Sequence, residues 1–250
     1  MKKHFVILAA LMFLLAGCSG SGETPSGSVS QLPDPPAATT GSTLETIAPT
    51  EATEAPTEAT EAPTEAATVS LGRMEGGIYT NHYVGYGCEL DSNWAFYTAE
   101  ELQSIPENIA EILNGSDLDS DSVLTQIADM MAENVNDMTT INILYNKLPM
   151  SERLTYAMLT EDEIADLLLE SLFTVYEQAG FQAESIEKVK VSFLGEERTA
   201  LLTSMSINGI PYFALQLFDY KLGQYGVTTT FASYMENNTL SLLELFYAVD

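Results

Sequence analysis

Basic residues are scarce in this 250-residue sequence. Nine Lys and Arg stand against 36 Asp and Glu, a formal charge of −27. Such a chain repels nucleic acid, anionic headgroups and anionic wall polymers, so no nucleic-acid partner is expected and no basic patch can hold a membrane. Histidine is nearly missing too. With His4 and His82 alone, neither a zinc site of several histidines nor an HExxH metalloprotease helix can be assembled. Cysteine is limited to Cys18 and Cys88, too few for a disulfide framework. The one long apolar run, Phe5 to Leu15, is too short to span a bilayer as a helix.

That run lies between two lysines, Lys2 and Lys3, and the tetrapeptide Leu15-Ala16-Gly17-Cys18. A positive start, an apolar middle and an aliphatic-small-small-cysteine box resemble a bacterial lipoprotein signal peptide. The resemblance implies that residues 1–17 are removed and that Cys18 carries lipid. The rest would then sit on the extracytoplasmic face of the cell membrane, held by its lipid anchor. More than one acyl chain is needed for a firm hold. Loss of Lys2 and Lys3 leaves seven basic residues against 36 acidic ones, or −29. His82 and Cys88 are then the remaining imidazole and thiol, and no internal disulfide can form.

Residues 18–70 read as the lipidated cysteine and a disordered tether. Pro33, Pro35 and Pro36 precede a seven-residue repeat, Thr50-Glu51-Ala52-Thr53-Glu54-Ala55-Pro56, repeated at 57–63 and begun again at Thr64. No large apolar residue recurs in it, and a proline in each repeat interrupts any helix, so a coiled coil is excluded. Carboxylates without bases keep such a segment extended, with a span from roughly 40 Å as a coil to about 160 Å as polyproline II. Stalks of this kind are typical of Gram-positive lipoproteins. Ser19 after the cysteine would also permit outer-membrane sorting in a Gram-negative cell.

From about Leu71 to Asp250 the pattern is that of one globular domain, long enough for a single hydrophobic core. Tyr86, Cys88 and Leu90 alternate with Gly85, Gly87 and Glu89, a half-buried strand. Asp91-Ser92-Asn93 reads as a turn, and Thr98 with Glu101 as a capping box opening a helix. Val123, Leu124, Ile127, Met130 and Met131 recur at helical spacing and predict a second helix from about Asp121 to Asn136. Thr140–Leu148 reads as a central strand. Thr160 and Glu163 cap the longest helix, with Ile164, Leu167, Leu168, Leu172, Val175 and Ala179 inward and Gly180 at its end. Strands follow at 186–194, 199–207, 210–220 and 225–232, with Asn208-Gly209 turning one hairpin. Thr239 opens a short helix with Leu240, Leu243 and Phe246 inward.

The expected fold is α+β: a mainly antiparallel sheet of six or seven strands with helices packed on one or both faces. The order of Tyr79-Thr80-Asn81, Gly85, Leu90 and Trp94, a helix, the TINILY strand, a long helix and a four-stranded meander resembles lipoproteins of gut Firmicutes. Their domain is similar to the PsbP-type α/β/α sandwich, shared by a photosystem II extrinsic subunit and a Ran-binding nuclear import factor. The resemblance spans about 74–250. It implies a fold and a core position for Trp94, and it brings no active-site motif.

Residues able to do chemistry mostly have ordinary explanations. His82 beside Asn81 reads as a turn or surface residue, and Cys88 as a small core residue without a neighbouring cation to activate it. Ser185-Ile186-Glu187-Lys188 matches SxxK but enters a strand and lacks its companion motifs. Asp117, Asp119 and Asp121 alternate as calcium ligands do. An EF-hand loop from Asp117 would need Gly at 122 and Glu at 128, where Ser122 and Ala128 stand. Those acids read either as a solvated, helix-capping loop or as a Ca²⁺ site, and no other cofactor is implied. Aromatics crowd the first hairpin, and the edge containing His82, Tyr83 and Tyr86 is the candidate ligand surface. Two functions stay open. The favoured one is a non-enzymatic module that binds a protein or small molecule; the other is a carboxylate-based hydrolase, which needs two acids facing each other in a cleft.

Overall fold

Gly76 and Gly77, at φ 59° and 92°, adopt backbone that L side chains resist, and they fold the first hairpin. They join β1 (Arg73–Glu75) to β2 (Ile78–Asn81). Strand β2 pairs antiparallel with β3 (Tyr86–Glu89), which pairs in turn with β11 (Phe246–Ala248). This four-stranded sheet has the order β1-β2-β3-β11. A computed structural model describes residues 70–113, 126–178, 183–207, 209–220 and 223–249. The expected signal peptide, Cys18, the expected stalk up to residue 69, Asp117, Asp119, Asp121, Val123, Leu124, Ala179, Gly180 and Asn208 lie outside the described residues, as does the side chain of Val175.

A seven-stranded sheet is the centre of the domain. It contains β4 (Trp94–Phe96), β5 (Ile127–Asn134), β6 (Thr139–Lys147), β7 (Ala183–Phe193), β8 (Glu196–Ile207), β9 (Ile210–Asp219) and β10 (Tyr225–Tyr234). Its order is β4-β5-β6-β10-β9-β8-β7. Every pairing is antiparallel, so the expected α+β class with a seven-stranded sheet is what the chain forms. The middle of the sheet is β6 against β10, in register from Thr139↔Ser233 to Lys147↔Tyr225.

Helix α1 (Ala99–Leu113) opens on the expected capping box: Thr98 Oγ1 accepts from Glu101 N–H at 3.3 Å, and Glu101 accepts from Thr98 N–H at 2.8 Å. The same device, Thr160 with Glu163, opens α3 (Glu161–Gln178). Helix α2 (Met150–Met158) precedes it. Leu102, Ile105, Tyr156, Ile164, Leu168, Leu172 and Tyr176 from these helices pack on Leu144, Leu201, Met205, Tyr212, Phe218 and Tyr234 of the large sheet. On the opposite face, Tyr79, Tyr86 and Cys88 of the small sheet meet Met130, Ile141, Ile143, Leu215 and Phe231. Leu242 and Leu243, at the end of the short helix α4 (Thr239–Leu242), join that second core. Trp94 and Phe96 are only half-buried at its margin.

Three expectations are corrected. The described part of the predicted 121–136 helix, from Ile127 to Asn134, is strand β5. This strand is buried on both faces, so apolar residues fill both, and a bulge between Ala128 and Met130 adds one residue. Ile127, Met130 and Met131 therefore fall at the i, i+3, i+4 spacing of a helix without forming one. Leu167 points outward, 47% exposed, while Ala165 and Tyr176 turn inward. Leu240 is likewise 58% exposed, and Leu242 takes the inward position. In both helices the stripe lies slightly rotated from the one that leucine spacing alone marks.

Candidate functional site

The bulge in β5 turns Asp129 out of the ladder and toward β2. Its carboxylate is 5% exposed, and uncharged donors hold it. Gly72 N–H reaches Oδ1 at 2.8 Å and Oδ2 at 3.1 Å. Tyr79 Oη donates to Oδ2 at 2.5 Å, and Asn81 Nδ2 donates to the same oxygen at 2.7 Å. Asn81 Nδ2 also stands 2.6 Å from Tyr145 Oη and 2.9 Å from Tyr79 Oη, while its Oδ1 accepts from Tyr83 N–H at 2.8 Å. Tyr79 and Asn81, two apart on β2, thus share the face that looks at Asp129.

Glycine is required at position 72. A Cβ there would stand 2.6 Å from Tyr79 Cζ, so only a bare backbone can lie against the ring and bring its N–H to the carboxylate. Burial raises the Asp129 pKa above its ordinary 3.8, and the bonds from Tyr79, Gly72 and Asn81 oppose that rise. Burial, with the adjacent Asp129 charge next, pushes the Tyr79 and Tyr145 phenols far up, so both stay protonated donors at neutral pH.

Asp129 lines one wall of a cavity of about 450 Å³ between β5, the approach to β1 and helix α1. Leu71, Met74, Leu102, Pro106, Ile127 and Ala128 supply apolar surface, with Gln103 and Gln126 as neutral polar groups. Ala99 and Gln103 are exposed at its rim, whereas Leu102, Pro106 and Asp129 are buried. Pro106 lacks the N–H that an unbroken helix would direct at the Leu102 carbonyl.

A second carboxylate with little exposure, Asp219, is differently held. Arg198 Nη2 reaches it at 2.8 Å, Tyr86 Oη donates to it at 3.2 Å, and Arg198 Nε also contacts Glu161. Burial raises the Asp219 pKa, with Arg198 as the main opposing influence. Arg198 thus joins β8 to β9 through Asp219 and to α3 through Glu161, a cluster that reads as structural.

The residues expected to form a ligand edge are separated by depth. His82 is exposed in the turn after β2, and Tyr83 is half-buried with its ring 5.6 Å from that of Tyr145. Tyr86 is buried, its hydroxyl 2.6 Å from Thr229 Oγ1. Cys88 is fully buried and its thiol pKa is pushed up to about 12 by burial, which removes it as a nucleophile at neutral pH. Among the described residues no group of three or more His, Cys, Asp or Glu could hold a metal ion, and no helix is long and apolar enough to cross a membrane. The helical spacing of Ile127, Met130 and Met131 hides Asp129 from sequence, since the segment is strand β5. Its signal is an acid inside Ile127-Ala128-Asp129-Met130-Met131-Ala132, since a charge in a doubly buried strand needs a reason.

No protein-family model matches this sequence, and no curated protein does either. Among solved structures the chain is similar to the solution structure of cyanobacterial PsbP (CyanoP) from Synechocystis sp. PCC 6803. The likeness has 12% identity and a TM-score of 0.38, and it covers 75% of this chain and 98% of that one. At that score it adds nothing to the architecture, which stands on the strands and helices described above.

Proposed function

We propose that this chain is a lipid-anchored protein of the extracytoplasmic membrane face that displays a non-enzymatic binding domain, with the cavity beside Asp129 as its ligand site. One observation carries the binding reading. Among the described residues Asp129 is the sole carboxylate lining the cavity, and three uncharged donors already hold it. Glycosidase-type hydrolysis needs a second acid about 5–10 Å away, across the substrate. Asp219, a further acid with little exposure, is committed to Arg198. A cavity of this volume, apolar with few polar groups, has the make-up of a small-molecule site. The anchor rests on Leu15-Ala16-Gly17-Cys18 and the leader before it.

Both halves are testable on the full chain. Metabolic labelling with a fatty acid should mark wild type and spare Cys18→Ala; equal labelling of the two would remove the anchor. For the domain, a panel of glycoside and ester substrates should show no turnover. Turnover abolished by Asp129→Asn in a folded variant would overturn the binding reading in favour of a hydrolase.

A further inference from the structure

The cavity joins two chemistries that rarely share a wall. Leu71, Met74, Leu102, Pro106 and Ile127 line it with hydrocarbon, and Asp129 is the acid among its described lining residues. Each donor on that carboxylate is neutral: a backbone N–H, a phenol and a carboxamide. Among the described residues no ion pair reaches Asp129, unlike Asp219, which has Arg198. The two carboxylate oxygens are also unequally used. Oδ2 takes Tyr79, Asn81 and the longer Gly72 contact, whereas Oδ1 takes Gly72 N–H alone at 2.8 Å. A carboxylate oxygen has room for a further donor.

Resting on the binding reading above, we infer that the cavity takes a small organic cation, its apolar body against α1 and the approach to β1 and its ammonium group on Asp129 Oδ1. An ammonium supplies both things the carboxylate lacks, a positive charge and a second donor for Oδ1, and a charge-assisted bond in an apolar surround is strong. A metal ion fits poorly, because the N–H and O–H groups around Asp129 aim their hydrogens at the place where metal ligands would have to offer lone pairs. An anion meets Asp129 directly. The −27 charge of the chain raises the concentration of cations near the mouth.

Three probes of one shape separate charge from shape: phenethylammonium, 2-phenylethanol and phenylacetate, titrated calorimetrically into the full chain in detergent at matched ionic strength. Wild type should bind the ammonium about tenfold or more tightly than the alcohol, and phenylacetate should not bind. Asp129→Asn should erase the preference while the alcohol still binds. Gln103→Lys, on the exposed rim, should weaken the ammonium severalfold and spare the alcohol, and it decides the matter if Asp129→Asn fails to fold. Glu196→Gln removes the same charge from the exposed start of β8 and should leave the preference intact. Equal binding of ammonium and alcohol by wild type would overturn the cation and leave a binding cavity. So would a loss of preference in Glu196→Gln as large as in Asp129→Asn. No binding of any probe at millimolar concentration would overturn the cavity as a ligand site together with the cation.

Discussion

Replacing Tyr79 with Phe removes one hydroxyl and leaves the ring that packs on Gly72 and the inner core. Two bonds go with it: the 2.5 Å donation to Asp129 Oδ2 and the acceptance from Asn81 Nδ2 at 2.9 Å. The second costs little, since Asn81 keeps Asp129 and Tyr145 as acceptors. The first is a charge-assisted bond to a buried carboxylate, worth about 1.5–3 kcal/mol. In a domain of this size each kcal/mol is worth about 2–4 °C, so Tm should fall by roughly 3–12 °C at neutral pH. The loss should depend on pH. Tyr79 contributes the largest bond opposing the rise in the Asp129 pKa, so its removal raises that pKa further. Below it the carboxyl is protonated, and the missing bond is an ordinary one worth about 0.5–1.5 kcal/mol. Urea unfolding followed by circular dichroism, at neutral and mildly acidic pH, reads both numbers. A cost under about 0.5 kcal/mol at neutral pH, where a net hydrogen-bond contribution is already at its floor, would refute the network as a stabilising unit. A cost identical at both pH values would refute the charged state assigned to Asp129.

Leu168→Ala should cost roughly 2–5 kcal/mol in the same assay, because the side chain is 5% exposed in the helix-side core; a loss near zero would mean that α3 turns another face inward. Cys88 should resist iodoacetamide in the folded chain and react once urea unfolds it, and rapid labelling of native protein would contradict its burial and raised pKa. Acid should stabilise the domain before it unfolds it. Asp129 and Asp219 both have folded pKa values raised mainly by burial, so each carries a penalty when ionised that is lifted as pH falls through its folded pKa toward 3.8. Asp162 works the other way: its pKa is lowered chiefly by a hydrogen bond from Lys188, and its contribution is lost only below 3.8. Stability that falls steadily as pH is lowered from neutral would contradict the burial of the two acids.

Local signals were readable wherever one residue type has one use. Thr98 with Glu101 and Thr160 with Glu163 mark two helix starts, and both boxes form as expected. The meander from β7 to β10 was legible because runs rich in β-branched and aromatic residues are parted by short turns. Strand β5 was not, because a bulge inside a doubly buried strand imitates helical spacing, and only the partners on β4 and β6 reveal it. The site was lost with it. Tyr79 and Asn81 stood in view as strand residues, yet nothing in their own segment points to an aspartate some fifty positions later. Depth was also hidden: His82, Tyr83 and Tyr86 are neighbours in sequence and occupy surface, margin and core.

The pairing of β11 with β3 sets the order in which the domain can be assembled. Phe246 lies opposite Cys88 and Ala248 opposite Tyr86, so the small sheet closes only between segments from nearly opposite ends of the domain. The middle of the large sheet has the same character, because β6 waits for β10. A ribosome that has made residues 71–178 has produced a strand buried from Thr139 to Asn146, with a permanent partner on one side only. The hairpins β7–β8, β8–β9 and β9–β10 can close locally and early, whereas β6 and β3 join across long loops and late. The export proposed above meets no conflict in this order, because the chain can stay open until residue 248 has arrived and then complete both sheets.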